Sequence, residues 1–295
     1  MQKRWNWLLI LWRREWDFWE KTLIRQLRLE LIPVGAVFVL FFMSSTLTNR
    51  FTDMIASAPA AVMAFWGVPK TIGTPDSLFF MKWILMPINV WIAWEACNRA
   101  MKTIWREEEG GQIYLLCNQW YTRYQIVIAK YSWIVLSFVL KYLVFAVVYI
   151  CLALVTCKSG QRLAEWKSLT GLFGKGILVM ILLISLSGCH AMLRKRKVWS
   201  VWADVVVLGT LAFCNLYKIR DLLELSMKQG GKDYTHLIRF LGWSKWFRGL
   251  APLSWLNPFT EFGEGAVTAQ IIVAVALTLL SATLGIVGYR IRKFS

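Results

Sequence analysis

The sequence predicts an all-α membrane protein with six transmembrane helices and both termini on the cytoplasmic side. Three observations lead there. The 295-residue chain is 57% hydrophobic, with 18 Trp and 17 Phe. Its apolar residues gather in separate runs of about twenty, the length that crosses a hydrocarbon core of about 30 Å. A soluble reading would require several helices apolar on every face. The Lys and Arg residues, 34 against 17 Asp and Glu, cluster at the ends of those runs, where they set topology and anchor to anionic headgroups. With the N-terminus inside, the cytoplasmic segments hold nineteen Lys and Arg and the outer connections twelve, seven of them in one long loop, where the rule is weak. A net charge of +17 also suits a nucleic-acid binder, but this distribution belongs to a membrane, and no nucleic-acid partner is expected.

Residues 1–28 come first. Trp5, Leu8, Leu9, Trp12, Trp16, Trp19, Leu23 and Leu27 form one helical stripe, and Arg13, Arg14, Asp17, Lys21, Arg25 and Arg28 lie on the other side. Indole rings favour the headgroup layer, so this segment reads as an amphipathic elbow helix lying in the interface. Charges throughout and the lack of a small-residue cleavage pattern argue against a cleavable signal. Residues 29–295 then form one transmembrane domain.

The first span covers about 29–47, with Pro33 near its start, where proline is tolerated. Met54–Gly67 is too short to cross and reads as a lateral or re-entrant helix on the outer side. Pro69, Gly73 and Pro75 break the chain before the second span at about 78–98. The third covers about 131–155, the fourth about 169–189, and the basic turn Arg194-Lys195-Arg196-Lys197 leads into the fifth at about 198–216. Residues 217–262 hold no run able to span, and one or two interfacial or re-entrant outer helices are expected there. The sixth span covers about 265–289. Its Ala266, Ala269, Ala274, Ser281, Gly285 and Gly288 would let a neighbouring helix approach closely.

Between the second and third spans lies Arg106-Glu-Glu-Glu109-Gly-Gly111-Gln112, followed by Ile113, Leu116, Trp120 and Tyr124. Three carboxylates cannot remain in hydrocarbon, and the glycines permit a turn. The spacing of three or four then marks one face of a short amphipathic helix at about 112–120. Such a helix at the cytoplasmic rim is placed to dock on a soluble partner. Plain solvation of the turn, with Glu107 or Glu109 pairing to Arg106 or Arg123, is the simpler alternative. Catalysis by the carboxylates lacks a neighbouring His, Ser or metal ligand.

The residues Glu107, Glu109, Gly111, Ile113, Leu115, Leu116, Thr122, Arg123, Ile126 and Lys130 resemble the signature E-x-E-x-G-T-L-x-x-L-L-x-T-P-V-S-R-x-x-L-x-x-G-K of ABC-2 type transporter permeases. Gln112 stands where that pattern has Thr, and Trp120 where it has Pro. The resemblance implies that Glu107, Glu109, Gly111, Ile113, Leu116, Trp120 and Arg123 form the region that couples to an ATPase subunit, with the elbow helix packed beside that subunit. It also implies a second permease copy, most simply a homodimer, with two ATPase subunits in a bacterial plasma (inner) membrane. The chain has no phosphate-binding loop of its own: Gly171-Leu-Phe-Gly174-Lys175-Gly176 has the wrong spacing. ATP and Mg would therefore sit in the partner, and this chain would hold no cofactor and perform no catalysis itself. The lack of a large outer domain suggests a cargo that enters from the cytoplasm or inner leaflet, and the Trp- and Phe-rich, net-basic bundle suits an amphipathic or hydrophobic one; the resemblance implies that this cargo is a peptide of the bacteriocin or phenol-soluble modulin kind. Lipid-linked molecules or drugs are the second class of cargo, and a channel or scaffold without an ATPase is the competing reading.

Other chemistry is sparse. The six Cys include no C-x-x-C pair, and with only His190 and His236 no metal-ligand spacing exists. Lys141 falls about ten residues into the third span, about 15 Å deep at helical rise. Glu95 and Arg99 lie in the inner half of the second span, and Asp204 in that of the fifth. Ionisable groups at such depth face a bundle interior, where they pair or line a pathway. Lys141 and Glu95 lie on consecutive helices and are expected to meet. Glu95, Lys141 and Asp204 are the candidates for a translocation path, and structural pairing is the alternative for each.

Overall fold

The computed structural model describes residues 6–43, 77–109, 122–156, 162–193, 234–243 and 264–291, with isolated positions in 216–227 and Trp255. These residues contain no strand. They form α1 (Asn6–Met43), α2 (Ser77–Glu109), α3 (Arg123–Thr156), α4 (Arg162–Leu193), the short α5 (Thr235–Phe240) and α6 (Glu264–Ile291). The expected lateral helix at Met54–Gly67, the amphipathic helix at 112–120 and the fifth span at 198–216 (save Leu216) lie outside the described residues. Among the described residues three helices are long and apolar enough to cross a membrane, within Arg123–Val155, Arg162–Leu193 and Gln270–Arg290.

Each of the long helices extends beyond the apolar run that marks it. A transmembrane run ends where side chains turn polar, but backbone hydrogen bonds continue for as long as the local sequence supports them. At the start of α3 the cause is visible. Thr122 accepts backbone hydrogen bonds from Gln125 (3.0 Å) and Ile126 (3.2 Å) through its carbonyl, while its own N–H donates to Gln125 Oε1 at 2.9 Å. The Gln side chain reaching back to the N-cap N–H is half of a capping box, which fixes the helix start eight residues before the apolar run at 131.

A second difference concerns α1. The sequence separates an interfacial segment from a span at residue 28, whereas the helix runs unbroken from Asn6 to Met43, through Pro33. Its N-terminal part packs along α3. Leu11 is buried with Ile126 and Ala129, Trp12 Nε1 donates to the Ala129 carbonyl at 3.1 Å, and Glu15 pairs with Lys130 at 2.7 Å. Of the expected aromatic stripe, Leu8 and Trp12 join this contact, whereas Leu9 and Trp16 are exposed.

The pairings fix helix directions. Contacts from Leu11–Ile126 to Glu30–Lys141 advance together, so α1 and α3 run the same way. Tyr142 donates to Asn89 Oδ1 at 3.2 Å while Lys141 meets Glu95, so α2 runs against α3. Lys82 and Glu165, both near the starts of their helices, join α2 and α4 at 2.8 Å, so those two are parallel. Gly285 faces Cys189 and Gly288 faces Leu193, which makes α6 parallel to α4. One end of the bundle therefore gathers the start of α1, the end of α2, the start of α3 and the ends of α4 and α6. Val127, Met192 and Tyr289 pack together there.

Towards the other end, Tyr142, Phe145 and Tyr149 on one face of α3 surround Phe173 of α4, with ring centroids 5.5, 6.1 and 5.6 Å from it. All four rings are buried. Offset and edge-to-face aromatic packing of this kind adds to what burial alone supplies.

Candidate functional site

The densest polar arrangement in the bundle interior joins α1, α2 and α3. Lys141 Nζ of α3 lies 2.6 Å from Glu30 Oε1 of α1 and 2.5 Å from Glu95 Oε2 of α2. Arg99, one turn beyond Glu95 on the same helix, binds Glu95 Oε1 at 3.1 Å and also donates to Gln26 Oε1 of α1. Both cations sit against the Phe138 ring, Arg99 at 4.9 Å and Lys141 at 5.2 Å from its centroid. All four charged side chains are buried.

Two carboxylates and two cations make the cluster neutral. Burying any one of these charges alone would cost several kcal/mol, and the arrangement is tolerable because each has an opposite charge within hydrogen-bond reach. Position follows from helix geometry. Glu95 and Arg99 are four apart and share a face, while Gln26 and Glu30 repeat that spacing on the antiparallel α1. Lys141 enters between the two acids.

The expected meeting of Lys141 with Glu95 is thus present, with Glu30 as a third partner the sequence did not indicate. Glu30 stands at the boundary between a charged segment and an apolar one, where an acid reads as a helix-end residue. A partner this far along the chain leaves no local signal. The same holds for Glu15, whose buried pair with Lys130 lies beside a Trp12–Trp133–Trp16 cluster, with centroids 6.0 and 5.6 Å from Trp133.

Of the residues expected to couple to a partner, Glu107 and Glu109 occupy the last turn of α2, where the sequence suggested a turn already outside the helix. Arg123 opens α3 and is exposed. Gly111, Ile113, Leu116 and Trp120 lie outside the described residues, as does Asp204. The ends of α2 and α3 that flank this segment belong to the two helices tied by Glu95 and Lys141. Among the described residues, no group of three His, Cys, Asp or Glu comes together as a metal site.

No family model, no curated protein sequence and no solved structure matches the chain.

Proposed function

We propose that the chain is the membrane subunit of an ATP-driven ABC exporter. A separate ATPase would bind ATP and Mg and drive alternating access. The observation that carries this reading is the segment from Glu107 to Arg123. Its carboxylates close α2, and its paired glycines and amphipathic spacing follow in sequence before α3; the end of α2 and the start of α3 lie at the bundle end where α1 starts and α4 and α6 finish. A soluble subunit pushing on that segment would act on α2 and α3 together. Glu95, Lys141, Arg99 and Glu30 then form the joint through which that push reaches α1. Alternative packings of such a joint are the ordinary means of switching access.

The same reading takes the chain to have six spans with both termini inside. Because α4 and α6 run in one direction, the chain between them has to return to the far end of the bundle, and in this reading the apolar run at 198–216 would be the crossing that makes that return. In this reading two permease copies, most simply a homodimer, and two ATPase subunits assemble in a bacterial plasma membrane and export an amphipathic peptide.

The test is co-expression with the ATPase encoded beside this chain, purification through a tag on this chain, and assay of complex formation and ATP turnover. Wild type is expected to bring down a stoichiometric ATPase. A correctly folded Glu109→Arg/Trp120→Asp variant is expected to lose most of that binding or its coupled turnover. Wild-type chain purifying alone, with its fold intact, would favour a channel or scaffold instead.

A further inference from the structure

We propose that α5 lies flat in the interfacial layer of the phospholipid bilayer, with Leu237, Phe240 and Trp243 dipping towards the acyl chains and His236 and Arg239 held among the headgroups. The inference rests on the membrane reading of the chain and not on coupling to an ATPase.

The Ile238 N–H donates to the Tyr234 carbonyl at 3.0 Å, which starts the helix, and beyond Phe240 the chain continues into a 3₁₀ turn over 241–243. Residues three apart share a face of an α-helix and eclipse in a 3₁₀ turn. The segment therefore carries three rows. Ile238 and Leu241 form the row turned towards protein, half-buried and buried. His236 and Arg239 form a second row, polar and exposed. Leu237, Phe240 and Trp243 form the third, apolar and also exposed, at 52, 72 and 38%.

An exposed apolar row meets water, another protein surface or lipid. Water is the costly choice for a phenyl ring that is 72% exposed. A protein partner is a poor fit to the area. Aromatic side chains bury about 150–250 Å2 each when fully covered, so this partly covered row offers roughly 400 Å2. A specific protein interface needs about 800 Å2 per partner. A lipid interface asks instead for apolar and polar rows side by side along one helix, which is what α5 has. Trp243 ends the apolar row, and indole rings favour that layer.

The polar row also decides how the segment lies. A re-entrant path would carry Arg239 into hydrocarbon, where a charge is expensive. The contrast with α6 shows the difference: its outward side from Ile271 to Leu284 bears no charge, as a helix surrounded by acyl chains requires. On α5 a cation sits one residue from the most exposed ring, as a helix at the boundary requires.

The experiment reconstitutes the full chain in phosphatidylcholine vesicles. Nitroxide labels are attached through His236→Cys, Leu237→Cys, Arg239→Cys and Phe240→Cys, each in a chain whose six native cysteines are replaced by Ser. Access is measured to oxygen, which concentrates in the acyl region, and to a water-soluble nickel chelate. Labels at 237 and 240 should read about 5–10 Å below the headgroup boundary, and those at 236 and 239 at that boundary or above it. Equal nickel access at all four positions would place α5 in water. Loss of access to both reagents at 237 and 240 would place that row under protein, either another segment of this chain or a second copy. Either result overturns the proposal. The wild-type chain supplies a second reading that does not depend on the cysteine-free chain folding. In vesicles holding a phosphatidylcholine with a diazirine on its acyl chain, photolabelling should mark Leu237, Phe240 and Trp243 several-fold more than His236 and Arg239. Equal marking of the two rows, or none on α5 while the outward side of α6 is marked, overturns it as well.

Discussion

Two seams hold the described bundle together, and they use opposite chemistry. Between α1, α2 and α3, Glu30, Glu95, Arg99 and Lys141 meet as a buried, neutral cluster. Between α4 and α6, small residues bring two backbones close: a Cβ added at Gly285 would lie 3.1 Å from Cys189 Cα, and one at Gly288 would collide with the Leu193 side chain. The first seam has alternatives built into it, because Lys141 stands between two acids and can favour either while both remain near a cation. The second has one register, because backbone atoms cannot exchange partners. Charge balance thus holds α1–α3 together, and close approach of backbones holds α4 to α6.

The largest effect should come from removing the cation both acids share. Lys141→Met leaves Glu30 and Glu95 facing each other with Arg99 as the remaining cation beside them. Breaking a buried ion pair by deleting one partner costs about 3–5 kcal/mol. Thermal unfolding in detergent should show a large drop in midpoint. Lys141→Met/Glu30→Gln, which removes one charge of each sign and leaves Glu95 with Arg99, should recover most of it. A double variant no better than the single would mean that the seam is not held by charge balance.

The glycine seam should break sterically and by less. Gly285→Leu forces a side chain against Cys189 and Met192, and overpacking of this kind costs about 1–3 kcal/mol. The matched control is Gly174→Leu, where an added Cβ meets nothing within 4 Å, and its unfolding midpoint should stay near wild type. Equal losses at the two positions would show that helix propensity and not close approach controls the α4–α6 contact.

How far the two seams were legible in the sequence differs for a physical reason. The glycine seam is written locally: small residues recur in the last apolar run, and in a membrane such residues mark close helix contact. The ionic seam is written only in part. Lys141 and Glu95 could be paired because consecutive helices tend to be neighbours, but Glu30 binds across a stretch of chain no periodicity can bridge. Hydropathy finds the centres of α3, α4 and α6 and stops at their polar turns, although a Thr122–Gln125 cap carries α3 further out. The continuity of α1 is not marked in the sequence, because charges from Arg13 to Arg28 read as an interfacial segment, while Glu15 among them is buried against Lys130. Of the coupling residues, the sequence alone speaks for Gly111, Ile113, Leu116 and Trp120.

The smallest effect is expected where the two seams are joined. Lys82 of α2 and Glu165 of α4 pair at 2.8 Å near the starts of those helices, with 17% and 20% of their side chains exposed. Partial exposure lets water and salt screen the pair, so Lys82→Ala should cost at most about 1 kcal/mol, and less as salt is raised. The exchanged pair, Lys82→Glu/Glu165→Lys, should return to wild-type stability, since the bridge needs opposite charges and not a particular order. A loss as large as that of Lys141→Met would mean that the bridge is no minor strap but the element that holds the ionic seam against the glycine seam. The α4–α6 frame would then govern the ionic cluster through Lys82, and the two seams would have to be treated as a single cooperative unit.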